Sequence, residues 1–360
     1  MERDLLHREL VALELETPEP TTKKKQHLLF VAGYDYEHKT AYYKSYCENR
    51  IKRILKANKG SEIDNNWKFT LFDVGKGLQQ EYQIVNKRRQ WVTVKNFTAV
   101  TAANYTGKVF TKNPTGVISI TDVYNFIIEL GKNEPGTLEE FNIFSHAWAG
   151  GPILVNSSEK PPFDNPLNNK RDPDDKDARW KDFEPENMPN IKLFQAAFSS
   201  TGKSWIWGCL FAKSPHLVLH QLFKNKHFSF SKSQDSDMFS FSFSRKDADK
   251  IYPIDNVFFP NISANTLKFN RSLAAIKAFL KSRIESSYCH TLAGASKRIC
   301  MGGFPGTYSE PEIGQKWPLW VIGKQKPPYS SNFKSRIRFY TNMMGLLEDS
   351  EKRGYGIYKP

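Results

Sequence analysis

Cysteine is scarce in this chain of 360 residues: there are four, Cys47, Cys209, Cys289 and Cys300, scattered and without a CxxC pair. That spacing excludes a disulfide framework and offers no zinc pattern, so the cysteines read as thiols in a reducing compartment. No window approaches the apolar length of a membrane span. The first residues, Met1 to Thr17, alternate acids with leucines and lack the basic and then apolar regions of a signal peptide. The expected location is the cytoplasm as synthesised, with any export through a signal-peptide-independent secretion system.

Several familiar chemistries are missing as well. No G-x-S-x-G string marks a serine hydrolase. The run Ser200 to Ser204 resembles the end of a phosphate-binding loop, but Ala197 stands where the loop needs glycine, and the helix-then-strand order is reversed. His216 and His220 share a helical face without the glutamate of a zinc peptidase, and helix packing explains them more simply. The acidic run Asp172, Asp174, Asp175, Asp177 and Asp182 lacks the glycine of a calcium loop and reads as a solvated loop covering the site edge. No metal and no cofactor is implied.

What the chain does have is aromatic residues, 26 Phe, 15 Tyr and 8 Trp, too many for a disordered protein. It also carries a net charge of +14, which favours acidic partners such as nucleic acid, anionic lipid or an anionic wall polymer. The lysines and arginines are spread along the chain, so a solvated basic surface is the plainer account.

Residues 1–25, with Pro18, Pro20 and three lysines, read as a flexible arm, and residues 26–360 as a single domain with insertions near 81–110, 150–190 and 228–262. Apolar runs predict strands at Gln26 to Ala32, Trp67 to Val74, Phe141 to Ser145 and Ser204 to Gly208, with one more at Arg298 to Met301. Helical periodicity predicts helices over about 40–58, 121–130, 214–226 and 266–287, and one capped by Asn187 and ended by Gly202. The rhythm is that of an α/β fold with a mainly parallel sheet, and the tail from Trp317 onward is a mixed region.

The strand ending at Ser145 runs into His146, and the next strand ends at Gly208 and Cys209. A strand, helix, strand unit places the carboxyl ends of both strands on one edge of the sheet, where ligands of such sheets bind. A thiol needs a base or a positive field to ionise, and imidazole supplies it near neutral pH. The spacing therefore permits a Cys209–His146 dyad; the competing account is a strand-capping histidine and a small buried cysteine. Asp35, Ser145, Gly151, Gly208 and Gly303, near the same strand ends, are candidates for the substrate pocket.

This order, a strand ending in His, a helix, then the adjacent strand ending in Cys, resembles the caspase-like (clan CD) cysteine peptidases. The resemblance covers roughly residues 26–226 and implies a three-layer αβα arrangement with Cys209 as nucleophile and His146 as acid and base. It also implies an oxyanion held by the backbone N–H groups of Ala147 and Cys209. The family usually has Gly directly after the His, and this chain departs from it with Ala147. The expected activity is cleavage of peptide or amide bonds, with a peptide, a protein or peptidoglycan as substrate, and a bacterial effector or toxin as one biological setting. The alternative class is a basic, aromatic-rich binding module for nucleic acid or an anionic polymer.

Overall fold

The structure, a computed structural model, describes residues 25–35, 42–57, 66–85, 88–101, 116–148, 150–156, 179–210, 213–244, 247, 258–259, 266–323 and 329–360. The arm up to residue 24, the loop at Glu37 and His38, and Asp172, Asp174, Asp175 and Asp177 lie outside the described residues.

Among the described residues nine strands form the main sheet: β1 (Gln26–Ala32), β2 (Trp67–Asp73), β3 (Leu78–Val85), β4 (Arg88–Asn96), β5 (Leu138–Phe144), β6 (Phe198–Ile206), β7 (Ile299–Gly302), β8 (Leu347–Glu348) and β9 (Gly356–Tyr358). Their spatial order is β8-β9-β7-β6-β5-β1-β2-β3-β4. The five central strands, β7, β6, β5, β1 and β2, are mutually parallel. Antiparallel pairs flank them on both sides. The expectation of a mainly parallel sheet is thus corrected to a mixed one, and with the small ribbons included antiparallel pairing predominates. The reason is that the segment expected as a small antiparallel insertion over 81–110 supplies most of a hairpin, Leu78–Val85 with Arg88–Asn96, that continues the sheet beyond β2, while the unassigned tail returns to cover its other edge.

Seven α-helices lie among the described residues: α1 (Tyr43–Ala57), α2 (Ile120–Asn133), α3 (Ile191–Ala197), α4 (Lys213–Lys224), α5 (Leu273–Glu285), α6 (Tyr288–Ser296) and α7 (Tyr329–Arg338). None is long and apolar enough to cross a membrane. Helix α2 starts at a capping box formed by Ser119 and Asp122, which satisfies two otherwise orphaned N–H groups. Helix α1 turns Tyr43, Cys47, Arg50, Ile51 and Ile54 inward. Arg50 lies over the rings of Trp205 and Trp207 on β6 and just beyond it. The residues that alternate with these, Phe141 and Ile143 on β5, are also fully buried, so the central strands are covered on both faces.

Two predicted helices have bounds that differ from expectation, one at its end and one at its start. α3 stops at Ala197 and strand β6 begins at once with Phe198, so Gly202 is a strand residue and not a helix cap. A Cβ at Gly202 would lie 2.7 Å from the Leu138 carbonyl oxygen, so close strand approach is what glycine serves there. The expected helix over 266–287 begins only at Leu273, capped by Ser272. Thr266–Ser272 before it alternates and pairs antiparallel with Met238–Ser244, whose Phe239, Phe241 and Phe243 are buried while the serines between them are exposed.

Candidate active site

The registers bring three strand ends level. Ala32 of β1 sits opposite Phe144 of β5, and Ile143 of β5 opposite Ile206 of β6. The pairing continues past the strands: Gly33 N–H donates to the Phe144 carbonyl at 2.8 Å and Trp207 N–H to the Ile143 carbonyl at 2.9 Å. Beyond these points the chain carries Asp35, His146 and Cys209.

His146 opens a short hairpin in which His146–Trp148 pairs with Gly151–Ile153. Gly151 has φ of +128°, a conformation open to glycine and not to residues with a Cβ. Gly208 lies against this hairpin. A Cβ there would come within 2.5 Å of the Ala147 Cβ, 2.7 Å of the Ser145 carbonyl oxygen and 2.9 Å of the Ala147 nitrogen. Backbone approach at Gly208 is what sets Cys209 beside the His146 turn. We expect Gly208→Ala to force these segments apart, costing about 1–3 kcal/mol in a chemical denaturation curve and slowing alkylation of Cys209. Gly294→Ala, on α6 with nothing within 4 Å of a new Cβ, serves as the neutral control.

Asp35 was a pocket candidate. Its carboxylate is fully buried and lies 3.7 Å from the His146 Nε2, with the imidazole about one-third exposed (0% and 30% side-chain exposure). A buried carboxylate at that distance orients the ring and faces the positive charge that forms when the ring takes up a proton. Ser145 is buried and turns its hydroxyl to the His146 carbonyl at 2.7 Å. Gly303 packs against the residue after the cysteine, with its Cβ position 3.0 Å from the Leu210 nitrogen.

Of the four cysteines only Cys209 is not buried. Burial pushes its thiol up, and hydrogen bonds from the backbone and side chain of Ser309 pull it back. Burial also raises Cys47 and Cys300 well above the ordinary thiol range. Cys289, expected beyond a helix end, is the second residue of α6 and is buried.

Two contributors carry no local sequence signal. Tyr43, expected only as a core residue of α1, sets its ring edge-on to His146 at 5.8 Å and stacks on Trp320 at 5.6 Å. Burial, then the charges of Asp35 and Cys209, push its phenol far above the ordinary range, so Tyr43 is an electrostatic neighbour of both. Ser309 touches the Cys209 sulfur from a ribbon, Ser309–Pro311 paired with Trp320–Ile322. No group of three or more metal-ligating side chains occurs among the described residues. His216 and His220 stack on one another at 6.3 Å.

In comparisons with protein-family models, curated proteins and solved structures, nothing matches this chain.

Proposed function

We propose that the chain is a cysteine hydrolase cleaving peptide or other amide bonds, built on a three-layer caspase-like arrangement. The observation that carries it is the convergence of Cys209 and His146 at one sheet edge through the close approach of Gly208 to Ala147. In this reading His146 takes the proton of Cys209, and the sulfur pair attacks the substrate carbonyl carbon. The tetrahedral oxyanion is held by the N–H groups of Ala147 and Cys209. His146 then returns the proton to the departing amine as the C–N bond breaks, leaving a thioester that water hydrolyses with the same imidazole as base. Asp35 holds the imidazole throughout. The substrate is a peptide, a protein or peptidoglycan, and the setting is the cytoplasm or an exported effector.

The test is limited iodoacetamide labelling of the native protein followed by peptide mapping. Cys209 is expected to label first, with Cys47, Cys289 and Cys300 protected by burial, and to label more slowly in His146→Ala. Prior labelling of Cys289, or indifference of Cys209 to the loss of His146, would remove the dyad.

A second reading is favoured by a different feature. Phe69, Tyr82 and Trp91 stand opposite one another across β2, β3 and β4 in edge and tilted contacts. Beside them a cleft of about 330 Å³ is lined by Trp67, Tyr82, the cations Lys25, Lys68 and Arg89, and one acid, Glu81. Rings beside cations suit a single-stranded nucleic acid or an anionic polymer. Salt-sensitive binding that survives Cys209→Ala would favour this module, and thiol-dependent turnover the hydrolase.

A further inference from the structure

The sulfur of Cys209 is held by a residue a hundred positions along the chain. The Ser309 backbone N–H donates to Sγ at 3.4 Å, and the Ser309 hydroxyl oxygen lies 3.7 Å from Sγ. Both are within hydrogen-bond range for the large sulfur atom. Ser309 is buried. Tyr355 donates its O–H to the Trp207 carbonyl at 2.8 Å, so its proton is committed there and not to the sulfur.

The Ser309 hydroxyl is both donor and acceptor: it can accept the S–H of the thiol and turn its own O–H to the thiolate, while the backbone N–H points at sulfur in both states. One N–H and one switchable O–H thus serve both protonation states.

The remaining groups around the sulfur do not replace this role. Tyr43 and Tyr355 are kept neutral, their phenols raised first by burial. Asp35 faces His146 and is of the wrong sign. The ribbon that begins at Ser309 also carries Trp320, on which Tyr43 stacks while meeting His146 edge-on. A single element therefore touches the surroundings of both members of the dyad.

We infer that Ser309 is a catalytic residue of this site: its backbone N–H and hydroxyl stabilise the Cys209 thiolate, and the ribbon that carries it sets the reactivity of the nucleophile. This rests on Cys209 being the nucleophile of the hydrolase proposed above. When the S–H bond breaks, the proton passes to His146, the electron pair stays on sulfur, and the Ser309 hydroxyl turns its O–H to Sγ. Once the sulfur bonds to the substrate carbon its charge is gone, and the hydroxyl is released from it.

The experiment is the rate of iodoacetamide alkylation at Cys209 in the intact protein as a function of pH, followed by mass spectrometry. In Ser309→Ala the midpoint is expected to rise by roughly one unit, so that the rate at neutral pH falls roughly tenfold while the alkaline plateau is retained. Ser309→Thr, which keeps the hydroxyl, should restore the parent midpoint. Melting curves of both variants check that the fold survives. An unchanged midpoint in Ser309→Ala, or a Thr variant no better than Ala, overturns the role of Ser309. The readout needs no substrate, so its failure is separable from that of the hydrolase reading. A shift in Ser309→Ala with no turnover of any amide substrate would sink the hydrolase and leave the thiolate contact standing, and a response to His146→Ala alone would do the reverse.

Discussion

Turnover of a peptide library by the purified chain is expected to fall about a thousandfold or more in Cys209→Ala and by a similar factor in His146→Ala, with the double variant little worse than either. The non-additivity follows from the shared step: without the sulfur there is nothing to deprotonate, and without the imidazole the thiol, which burial already raises, stays protonated at neutral pH. Residual activity in each variant would come from the remaining backbone donors and from substrate binding. Cys209→Ala deletes only the sulfur of a partly buried residue and should remain within about 1 kcal/mol of the parent in stability. His146→Ala also strips a ring from the buried Asp35 carboxylate, so its loss of activity must be read beside its own denaturation curve. Losses that simply multiply in the double variant would mean that the two side chains act independently, and the shared mechanism would have to be given up.

Much of the fold was legible because its central strands are short, continuous apolar runs. Gln26–Ala32 begins and ends as its composition predicts, and Trp67–Asp73 is one residue shorter than expected. The adjacency of the His146 and Cys209 strands followed from a helix between them, even though that helix is only Ile191–Ala197. Legibility failed where pairing is distant. Ser309 reaches Cys209 across a hundred residues, through a ribbon whose strands are three residues each, too short for alternation to register. The Thr266–Ser272 strand was absorbed into a helical stripe because Leu267 happens to fall near the spacing of Leu273 and Ile276, and only its partner Met238–Ser244 shows that it is extended. Tyr43 was correctly turned inward by periodicity, but periodicity cannot tell a ring that fills the core from one that borders an imidazole.

The largest stability effect is expected at Arg50, where no sequence pattern pointed. Its guanidinium forks onto Glu140, Nε to Oε2 at 3.2 Å and Nη2 to Oε1 at 2.7 Å, and its Nη1 reaches Glu351 at 2.6 Å. Lys203 Nζ lies 3.3 Å from Glu140, whose other oxygen accepts from Asn142 at 3.3 Å. The network joins α1 to β5, the strand leading to His146, and to the segment before β9. Burial by itself pushes the Glu140 carboxyl up, but Arg50, Lys203 and Asn142 together outweigh it and hold it below the ordinary range. Arg50→Ala leaves that carboxylate buried with too few partners, and we expect a loss of about 3–5 kcal/mol in equilibrium denaturation at neutral pH. Arg50→Met, which restores volume but not charge, should lose nearly as much. A depressed carboxyl contributes stability that is present above its unfolded value and lost as the pH falls through its folded value. In the variant, burial is opposed only by Lys203 and Asn142 and Glu140 rises, so acidification relieves a poorly paired charge. The gap between parent and variant should therefore be widest near neutral pH and narrow steadily as the pH falls from the raised carboxyl value of the variant to the lowered value of the parent. A gap that stays constant on acidification, or an Arg50→Met variant as stable as the parent, would show that Arg50 acts through its packing on Trp205 and Trp207 and not through Glu140.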